Sequence, residues 1–113
     1  LMYLYEFILN FSMVRVLSTT EFDTWESVLP KEYQDQIKKV IKQLKQTLDV
    51  GKPLGYSFFR EKKIGKYRIY FLIYEDLDTV LLVTISDKKT QQDTIDKIKD
   101  ELDVYKEMIR KQL

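Results

Sequence analysis

Two stripes of apolar residues with helical spacing predict a helical hairpin in the first half of the chain. The first stripe consists of Phe22, Trp25 and Leu29. Thr19 or Thr20 can cap the helix that this stripe defines, and Pro30 ends it and lets a second helix start. The second stripe consists of Tyr33, Ile37, Val40, Ile41, Leu44 and Leu48. Because only a proline separates the two stripes, we expect two antiparallel helices.

Runs of β-branched and aromatic residues predict strands on both sides of this hairpin. A first strand is expected at Met13–Leu17, before the helices. Three further strands, separated by turns at Ile64–Lys66 and Glu75–Asp78, are expected at Tyr56–Lys63, Tyr67–Tyr74 and Thr79–Ser86. These three form an antiparallel meander, and the first strand joins them at an edge or beside the last strand. The pattern therefore predicts an α+β fold with a four-stranded sheet.

A third apolar stripe predicts a C-terminal helix from Gln91 to Leu113. Its residues are spaced 3, 4, 3 and 4 apart, as in a heptad-like seam, and they are Ile95, Ile98, Leu102, Tyr105 and Ile109. Two interpretations remain open. Either the seam packs against the sheet of its own chain, or the helix protrudes and forms a homodimer or binds another partner.

The composition fits one globular domain. The chain has 113 residues, and its hydrophobic fraction of 44% is too high for intrinsic disorder. It contains no cysteine, so a disulfide framework is excluded and a cytoplasmic location is expected. It also contains no histidine, which excludes serine–histidine catalysis and histidine-ligated zinc. Any catalysis therefore depends on Lys, Arg, Tyr and carboxylates.

Residues 1–12, with the sequence LMYLYEFILNFS, precede a better-formed opening at Met13. They are apolar but shorter than the ~20 residues that a membrane-spanning helix needs. They also lack the basic region and the cleavage site of a signal peptide, so no membrane association is expected. They are interpreted either as an upstream extension or cloning remnant, or as an extra edge strand. The single domain is expected to span residues 13–113.

The charge of the chain is strongly polarised. The segment Gln36–Leu72 contains ten basic and two acidic residues, a net charge of +8. The rest of the chain contains nine basic and sixteen acidic residues, a net charge of −7. The overall charge of +1 therefore hides a basic region that can attract a polyanion. Lys39 and Lys42, on the second helix, are interpreted as part of a solvated helix face.

Four strings of the sequence occur in an informative order. They are FDTWESVLPKEYQDQIKKVIKQL in the helical hairpin, GKPLG after it, REKKIGKYRIYFLIY around the strand turn, and LLVTISDKKTQQDTIDKI at the end of the sheet. Together they resemble the RelE/ParE superfamily of toxin–antitoxin toxins over residues 14–105. Each string is weak alone, and their order and spacing carry the resemblance. The KKTQ string at Lys88–Gln91 is similar to the HigB-like branch.

The resemblance implies a RelE/ParE-like fold and a cognate antitoxin that covers the basic face. In the RelE and HigB branches the toxin cleaves mRNA on the ribosome without a metal or other cofactor, whereas the ParE branch poisons DNA gyrase.

Three hypotheses for the function of this chain follow. The preferred one is a ribosome-associated mRNA endonuclease, and the alternatives are a ParE-type gyrase inhibitor without enzymatic activity and an inactive member that only binds an antitoxin.

Metal-free RNA cleavage needs a base for the ribose 2′-hydroxyl, an acid for the leaving oxygen, and cations that stabilise the charged phosphorane. Arg60 and Arg68 are the first candidates for the cations, because a guanidinium grips phosphate oxygens and keeps its charge. The resemblance adds Lys88 and Lys89, at the end of the last strand, as basic catalytic residues. All four are expected to face one surface. The structural alternative is that Arg68 pairs with Glu61 and holds the strand hairpin together.

Further residues are candidates for RNA binding. Phosphate contacts are expected from Lys52, Lys62, Lys63 and Lys66. Tyr67 is a candidate for stacking on a base, and Gln91 either orients a nucleotide or, as preferred, caps the following helix. Several active relatives carry a Tyr or His where this chain has Thr90–Ile95, so the general base is unassigned. No metal site is expected, because the tight acidic cluster of the chain lies in the turn at 75–78, where Asp is favoured for turn formation.

Overall fold

A mixed β-sheet lies between two pairs of helices in the computed structural model, which describes residues 14–112. The strands are β1 (Arg15–Ser18), β2 (Lys52–Pro53), β3 (Phe59–Ile64), β4 (Tyr67–Tyr74) and β5 (Thr79–Asp87). The helices are α1 (Thr20–Val28), α2 (Lys31–Leu44), α3 (Gln91–Asp100) and α4 (Leu102–Lys111), and a 3₁₀ turn spans Glu75–Leu77. None of these helices is long and apolar enough to cross a membrane. The interpretations of residues 1–12 fall outside the described residues.

The five strands are arranged in the order β1-β5-β4-β3-β2. Strands β3, β4 and β5 form the predicted antiparallel meander, and β1 runs parallel to β5 at one edge. The predicted α+β fold is thereby confirmed, with the first strand beside the last. The sheet has one strand more than expected, because β2 pairs with β3. At two residues β2 is too short to produce a recognisable pattern in the sequence.

Each side of the sheet has its own hydrophobic core. Helices α1 and α2 cover the side that carries Ile69, Phe71 and Ile73, which we name the α1–α2 face. Helices α3 and α4 cover the side that carries Tyr70 and Leu72, which we name the α3–α4 face. Because both faces are covered, β4 and β5 are nearly continuous apolar runs instead of alternating apolar and polar residues.

Thr19 caps α1 and also connects this helix to an irregular point of β5. Its Oγ1 accepts a hydrogen bond of 3.0 Å from the Phe22 amide and donates one of 2.6 Å to the Val83 carbonyl. The register between β4 and β5 shifts at this point, so Val83 has no direct partner in β4. The buried Thr19 hydroxyl therefore pairs with a free amide at the N-terminus of α1 and with the carbonyl of the bulged residue in β5.

The predicted single C-terminal helix is divided into α3 and α4 at Glu101, whose backbone (φ −112°, ψ 17°) is not helical. The break allows Ile98 and Ile109, each 1% exposed, to reach the same α3–α4 face. The apolar seam thus packs against the sheet of its own chain. A homodimer through this seam would require its buried isoleucines to leave the core, and it stays a prediction.

Gly51 is a point where the backbone allows no side chain. Its φ is +81°, and an added Cβ would lie 2.8 Å from the Glu61 carbonyl oxygen. We expect Gly51→Ala to lower the free energy of unfolding by more than the roughly 1–2 kcal/mol that the left-handed backbone alone costs. Gly55→Ala is the matched control, since its φ is +88° and its Cβ would meet only the flexible end of Lys99. Denaturant unfolding measures both variants, and equal losses would contradict the prediction.

Candidate functional site

Polar side chains form two adjacent rows across the α3–α4 face. In the first row, Lys63, Arg68 and Ser86 are direct partners across β3, β4 and β5. In the second row, Glu61 and Tyr70 are direct partners on β3 and β4. Directly opposed residues point to the same side of a sheet, so these five side chains lie together. We name this cluster, together with Gln91 at the start of α3, the Arg68 site.

Glu61 lies at the centre of the Arg68 site. Its Oε1 is 4.0 Å from Arg68 Nε, and both side chains are only 10% exposed. Its Oε2 accepts a hydrogen bond of 2.9 Å from the side-chain amide of Gln91. Within residues 14–112 no three His, Cys, Asp or Glu side chains are grouped closely enough to hold a metal ion. The charge partner of Glu61 is the Arg68 guanidinium, as the structural interpretation of Arg68 expects.

Arg68 nevertheless keeps hydrogen-bond donors available. A separation of 4.0 Å from Glu61 is an ionic contact and is too long for a hydrogen bond. Within residues 14–112 the Arg68 side chain forms no hydrogen bond with another residue, and the side chain is 10% exposed, so part of it is open to a ligand. An arginine that is held by charge but is not saturated with hydrogen bonds is suited to bind a phosphate.

Tyr70 is fully buried beneath this ion pair. Its hydroxyl lies 2.8 Å from Ser86 Oγ. Burial raises the pKa of Tyr70 to about 12, and the nearby Glu61 carboxylate adds to the rise. The phenol is therefore neutral near pH 7 and serves as a hydrogen-bonding group, not as a base.

Removal of the Tyr70 hydroxyl is expected to affect stability in a pH-dependent way. Tyr70→Phe removes the buried hydrogen bond to Ser86 Oγ, which keeps only its bond of 3.0 Å to the Asp87 carbonyl, and should lower the free energy of unfolding by about 1 kcal/mol at neutral pH. In the wild type, the pKa of Tyr70 rises from 10.0 to about 12 on folding, so its contribution is complete below pH 10 and is lost as the pH passes 12. Between these values the wild type should lose stability more steeply than Tyr70→Phe. Tyr56→Phe, at a residue 46% exposed, is the control, and parallel curves would contradict the prediction.

Arg60, the second predicted arginine, is bonded to the backbone of its own chain. Its Nε donates a hydrogen bond of 2.7 Å to the Ser57 carbonyl, and its Nη1 lies 3.3 Å from the carbonyl oxygens of Val50 and Gly51. The same nitrogen is 3.7 Å from Asp49 Oδ1. These contacts connect the loops before β2 and β3 and leave Arg60 few donors for a ligand.

Arg60, Lys62 and Tyr67 lie on the α1–α2 face, opposite the Arg68 site. The two-residue turn pairs Ile64 with Tyr67, which places Arg60 and Arg68 at positions of opposite alternation. The prediction that Arg60 and Arg68 face one surface is therefore wrong. Neighbouring strands bring residues close together, but the pleat decides which side of the sheet each side chain reaches.

Tyr67 belongs to an aromatic cluster. Its ring packs edge to face with those of Trp25 and Tyr33, with centroids 6.3 and 5.0 Å away, and Lys66 Nζ lies 5.5 Å from its centroid. This packing occupies much of the ring that the sequence offered for stacking on a base. The predicted role of Tyr67 in RNA binding stays a prediction, and the contacts themselves stabilise the fold.

Lys88 and Lys89 lie in an exposed loop that leaves β5 directly after the Arg68 site. Asp87 organises this loop, because its Oδ1 accepts hydrogen bonds of 2.9 Å from the Thr90 amide and 3.0 Å from Thr90 Oγ1. These hydrogen bonds lower the pKa of Asp87. Because Ser86 is the register partner of Arg68, the loop starts two residues after the Arg68 site, and both lysines are exposed.

Gln91 does not cap α3, and the preferred interpretation of this residue is wrong. Thr90 is the N-cap residue, and no side chain caps the helix. Gln91 is the first helical residue, and its side chain instead bonds to Glu61 on β3. The contact joins residues thirty positions apart, so local sequence could not reveal it.

The predicted site residues therefore form two groups, one on the α1–α2 face and one around the Arg68 site on the α3–α4 face. Lys63 lies beside Arg68, and Lys52 is the register partner of Glu61. Together with the lysines of the 88–89 loop these two form an exposed cationic rim around the Arg68 site. Lys66 does not belong to this rim, because its Nζ lies 5.5 Å from the Tyr67 ring on the α1–α2 face. Glu61 was foreseen only as a structural partner, and Tyr70 and Ser86 were not foreseen.

A mixed sheet of this order carries a helical hairpin on one face and two C-terminal helices on the other. Residues 20–92 match the family described as ParE toxin of type II toxin-antitoxin system, parDE. The chain belongs to this family, and the resemblance to the RelE/ParE superfamily is confirmed. It is therefore a toxin of a type II toxin–antitoxin system.

Solved structures share the fold. The RelBE2 toxin–antitoxin complex from Mycobacterium tuberculosis is 22% identical, with 68% of this chain and 93% of that chain covered and a TM-score of 0.58. The RelB–RelE complex from Methanococcus jannaschii is 23% identical over 69% and 96% of the two chains, with a TM-score of 0.54. The isolated E. coli RelE toxin is 12% identical over 75% and 98%, with a TM-score of 0.59. No curated protein sequence matches the chain.

Proposed function

We propose that this toxin is a metal-independent endoribonuclease that cuts mRNA on the ribosome at the Arg68 site. One observation carries the proposal. A nearly buried arginine with free donors lies beside a carboxylate, and exposed lysines surround the pair. This combination supplies an anion-binding group, a proton acceptor and a surface that attracts a polyanion.

The reaction would begin with attack of a ribose 2′-hydroxyl on the adjacent phosphorus. Glu61 takes the proton of the 2′-hydroxyl while the new O–P bond forms. Arg68 stabilises the extra negative charge on the phosphorane oxygens. The bond to the 5′-oxygen then breaks, and Lys88 or Lys89 gives this oxygen a proton. The products are a 2′,3′-cyclic phosphate and a 5′-hydroxyl, and no water or metal takes part.

The protein partner in this proposal is a cognate antitoxin in the cytoplasm. The M. tuberculosis, M. jannaschii and E. coli relatives include toxin–antitoxin complexes, which supports such a partner. Acidic antitoxin segments would cover the cationic rim, because opposite charges steer association and favour a single orientation. The antitoxin would then block the Arg68 site to RNA.

A gyrase inhibitor of the ParE type is the second candidate. The observation that favours it is the family match itself, which is to ParE toxin. In this reading the Arg68–Glu61 pair is purely structural, and toxicity depends on protein contacts. The third candidate is an inactive member that binds only an antitoxin. Assignment to the HigB-like branch is part of the endonuclease proposal, because toxins of that branch cleave mRNA.

Induced expression in a bacterial host separates these readings. Primer extension on a reporter mRNA detects cuts, and the supercoiling of a resident plasmid reports gyrase activity. The proposal expects growth arrest with discrete cuts that require translation. Arrest with intact mRNA and altered supercoiling would move the assignment to gyrase. Absence of both arrest and cuts would favour a member that binds only its antitoxin.

The cationic rim is expected to set the salt dependence of RNA binding. Replacing Lys63, Lys88 and Lys89 by Ala removes three potential phosphate contacts, so the slope of log K against log salt should decrease by about 2 for single-stranded RNA. A 2′-O-methyl RNA, which cannot be cleaved, is the probe. The matched control replaces Lys39, Lys42 and Lys45, which are equally exposed on or next to α2. Equal effects of the two triple variants would contradict a specific role for the rim.

A further inference from the structure

The ion pair between Glu61 and Arg68 is more open than its position in the sheet requires. The two residues are diagonal neighbours on β3 and β4, because Glu61 is paired with Tyr70 and Lys63 is paired with Arg68. Diagonal neighbours lie about 7–8 Å apart, a distance that two long side chains can span. The separation of 4.0 Å between Glu61 Oε1 and Arg68 Nε therefore has a cause outside the strand pairing.

The environment of this ion pair favours a closer contact. Both side chains are only 10% exposed, and a hydrogen bond between a guanidinium and a carboxylate is about 2.7–2.9 Å long. Ions that have lost most of their water are stabilised by such hydrogen bonds, since charge attraction alone does not compensate the loss. The longer contact of 4.0 Å indicates that another group holds the Glu61 carboxylate.

The side-chain amide of Gln91 is the group that competes with Arg68 for this carboxylate. Its Nε2 donates a hydrogen bond of 2.9 Å to Glu61 Oε2, whereas the other carboxylate oxygen, Oε1, is the one next to Arg68. Gln91 is the first residue of α3, so the hydrogen bond comes from outside the strand hairpin. The docking of α3 on the sheet thereby determines where the Glu61 carboxylate lies.

The Tyr70 hydroxyl does not take over this role. Ser86 Oγ donates a hydrogen bond of 3.0 Å to the Asp87 carbonyl, so its oxygen accepts from the Tyr70 hydroxyl at 2.8 Å. A tyrosine has one hydroxyl proton, and Ser86 takes it. Within residues 14–112, the donor that holds the Glu61 carboxylate is therefore the Gln91 amide.

We propose that Gln91 is a positioning residue, which holds Glu61 away from Arg68 and so keeps the guanidinium available for an RNA phosphate. Without the hydrogen bond from Gln91, the carboxylate moves onto the guanidinium and occupies the donors that a phosphate would use. The inference deepens the proposed function, and it rests on that function in naming RNA as the source of the phosphate.

Gln91→Met tests the proposal, because methionine keeps the length and the helix propensity of the side chain but has no donor. Binding of a 2′-O-methyl RNA should become at least about 10-fold weaker, as expected when charge-assisted hydrogen bonds to a phosphate are lost. The Tm should stay close to that of the wild type, since Glu61 exchanges the hydrogen bond from Gln91 for one from Arg68. A purely structural role of Gln91 predicts the reverse, a lower Tm with unchanged RNA binding.

The Arg68 guanidinium gives a readout that does not depend on RNA. In NMR spectra the Nε–H signal of Arg68, assigned with Arg68→Lys, should exchange more slowly with water in Gln91→Met, because this group then donates to Glu61. Gln92→Met is the matched control, since the exposed Gln92 bonds to Asp96 within α3 at 2.9 Å. The control should leave both the Arg68 signal and RNA binding unchanged.

Three results would overturn the proposal. They are an Arg68 signal in Gln91→Met that exchanges as in the wild type, equal RNA binding by the wild type and Gln91→Met, and equal effects of Gln91→Met and Gln92→Met. Neither measurement requires cleavage. Failure of the proposed reaction is therefore seen separately, as a wild type that binds RNA without cutting it while both variants behave as stated.

Discussion

Arg68→Lys should reduce RNA cleavage by about 10²–10³-fold while the protein stays folded. Lysine keeps the positive charge beside Glu61, so the nearly buried ion pair is not broken. It loses the planar fork that holds two phosphate oxygens at once. Cleavage of a reporter mRNA, measured at equal toxin levels, gives the loss of activity, and thermal unfolding shows whether the fold is intact.

Arg60→Lys is the matched control for this substitution, because it makes the same chemical change on the other face of the sheet. It removes hydrogen bonds to the Ser57, Val50 and Gly51 carbonyls, so it should lower stability. Cleavage by the folded fraction should remain close to that of the wild type. If Arg60→Lys loses activity and Arg68→Lys keeps it, the assignment of the site is wrong.

Glu61→Asp should reduce cleavage by about 10²-fold or more, in line with the contribution of a positioned general base. The shorter side chain keeps its charge next to Arg68 but moves the carboxylate away from the position proposed for the 2′-hydroxyl. Glu61→Gln is a less suitable variant, because an uncompensated Arg68 would cost about 3–5 kcal/mol of stability.

Asp49→Asn is the control for the carboxylate at position 61. Asp49 contacts the other arginine, and its side chain is 95% exposed. This variant should cleave RNA like the wild type. Full activity of Glu61→Asp, with unchanged dependence on pH, would mean that Glu61 is a structural partner of Arg68 and that the base lies elsewhere.

The order of the elements could be predicted because each one leaves a local signal. Apolar spacing around Phe22 and Ile37 predicts α1 and α2, and Pro30 separates them. The strands follow from β-branched runs and from the turn at Gly65. The break at Glu101 has no such signal, since the apolar seam continues across it and only packing of Ile98 and Ile109 on one face requires the bend.

The site could be predicted in part. Arg68 and Lys63 come together because a short turn fixes the register of their hairpin. The same register places Arg60 and Arg68 on opposite faces of the sheet and pairs Glu61 with Tyr70. Both results follow from the alternation of side chains along a strand, counted from the turn at Gly65. The contact between Gln91 and Glu61 depends on how α3 docks on the sheet, which no local pattern contains.

The chemistry of the cut RNA ends tests the central claim most directly. Reporter mRNA is isolated from cells that express the toxin, and the termini on both sides of each cut are identified. Attack by the 2′-hydroxyl predicts a 2′,3′-cyclic phosphate upstream and a 5′-hydroxyl downstream, and both should disappear in Arg68→Lys. Ends with a 3′-hydroxyl and a 5′-phosphate, or cuts that persist in that variant, would contradict the account.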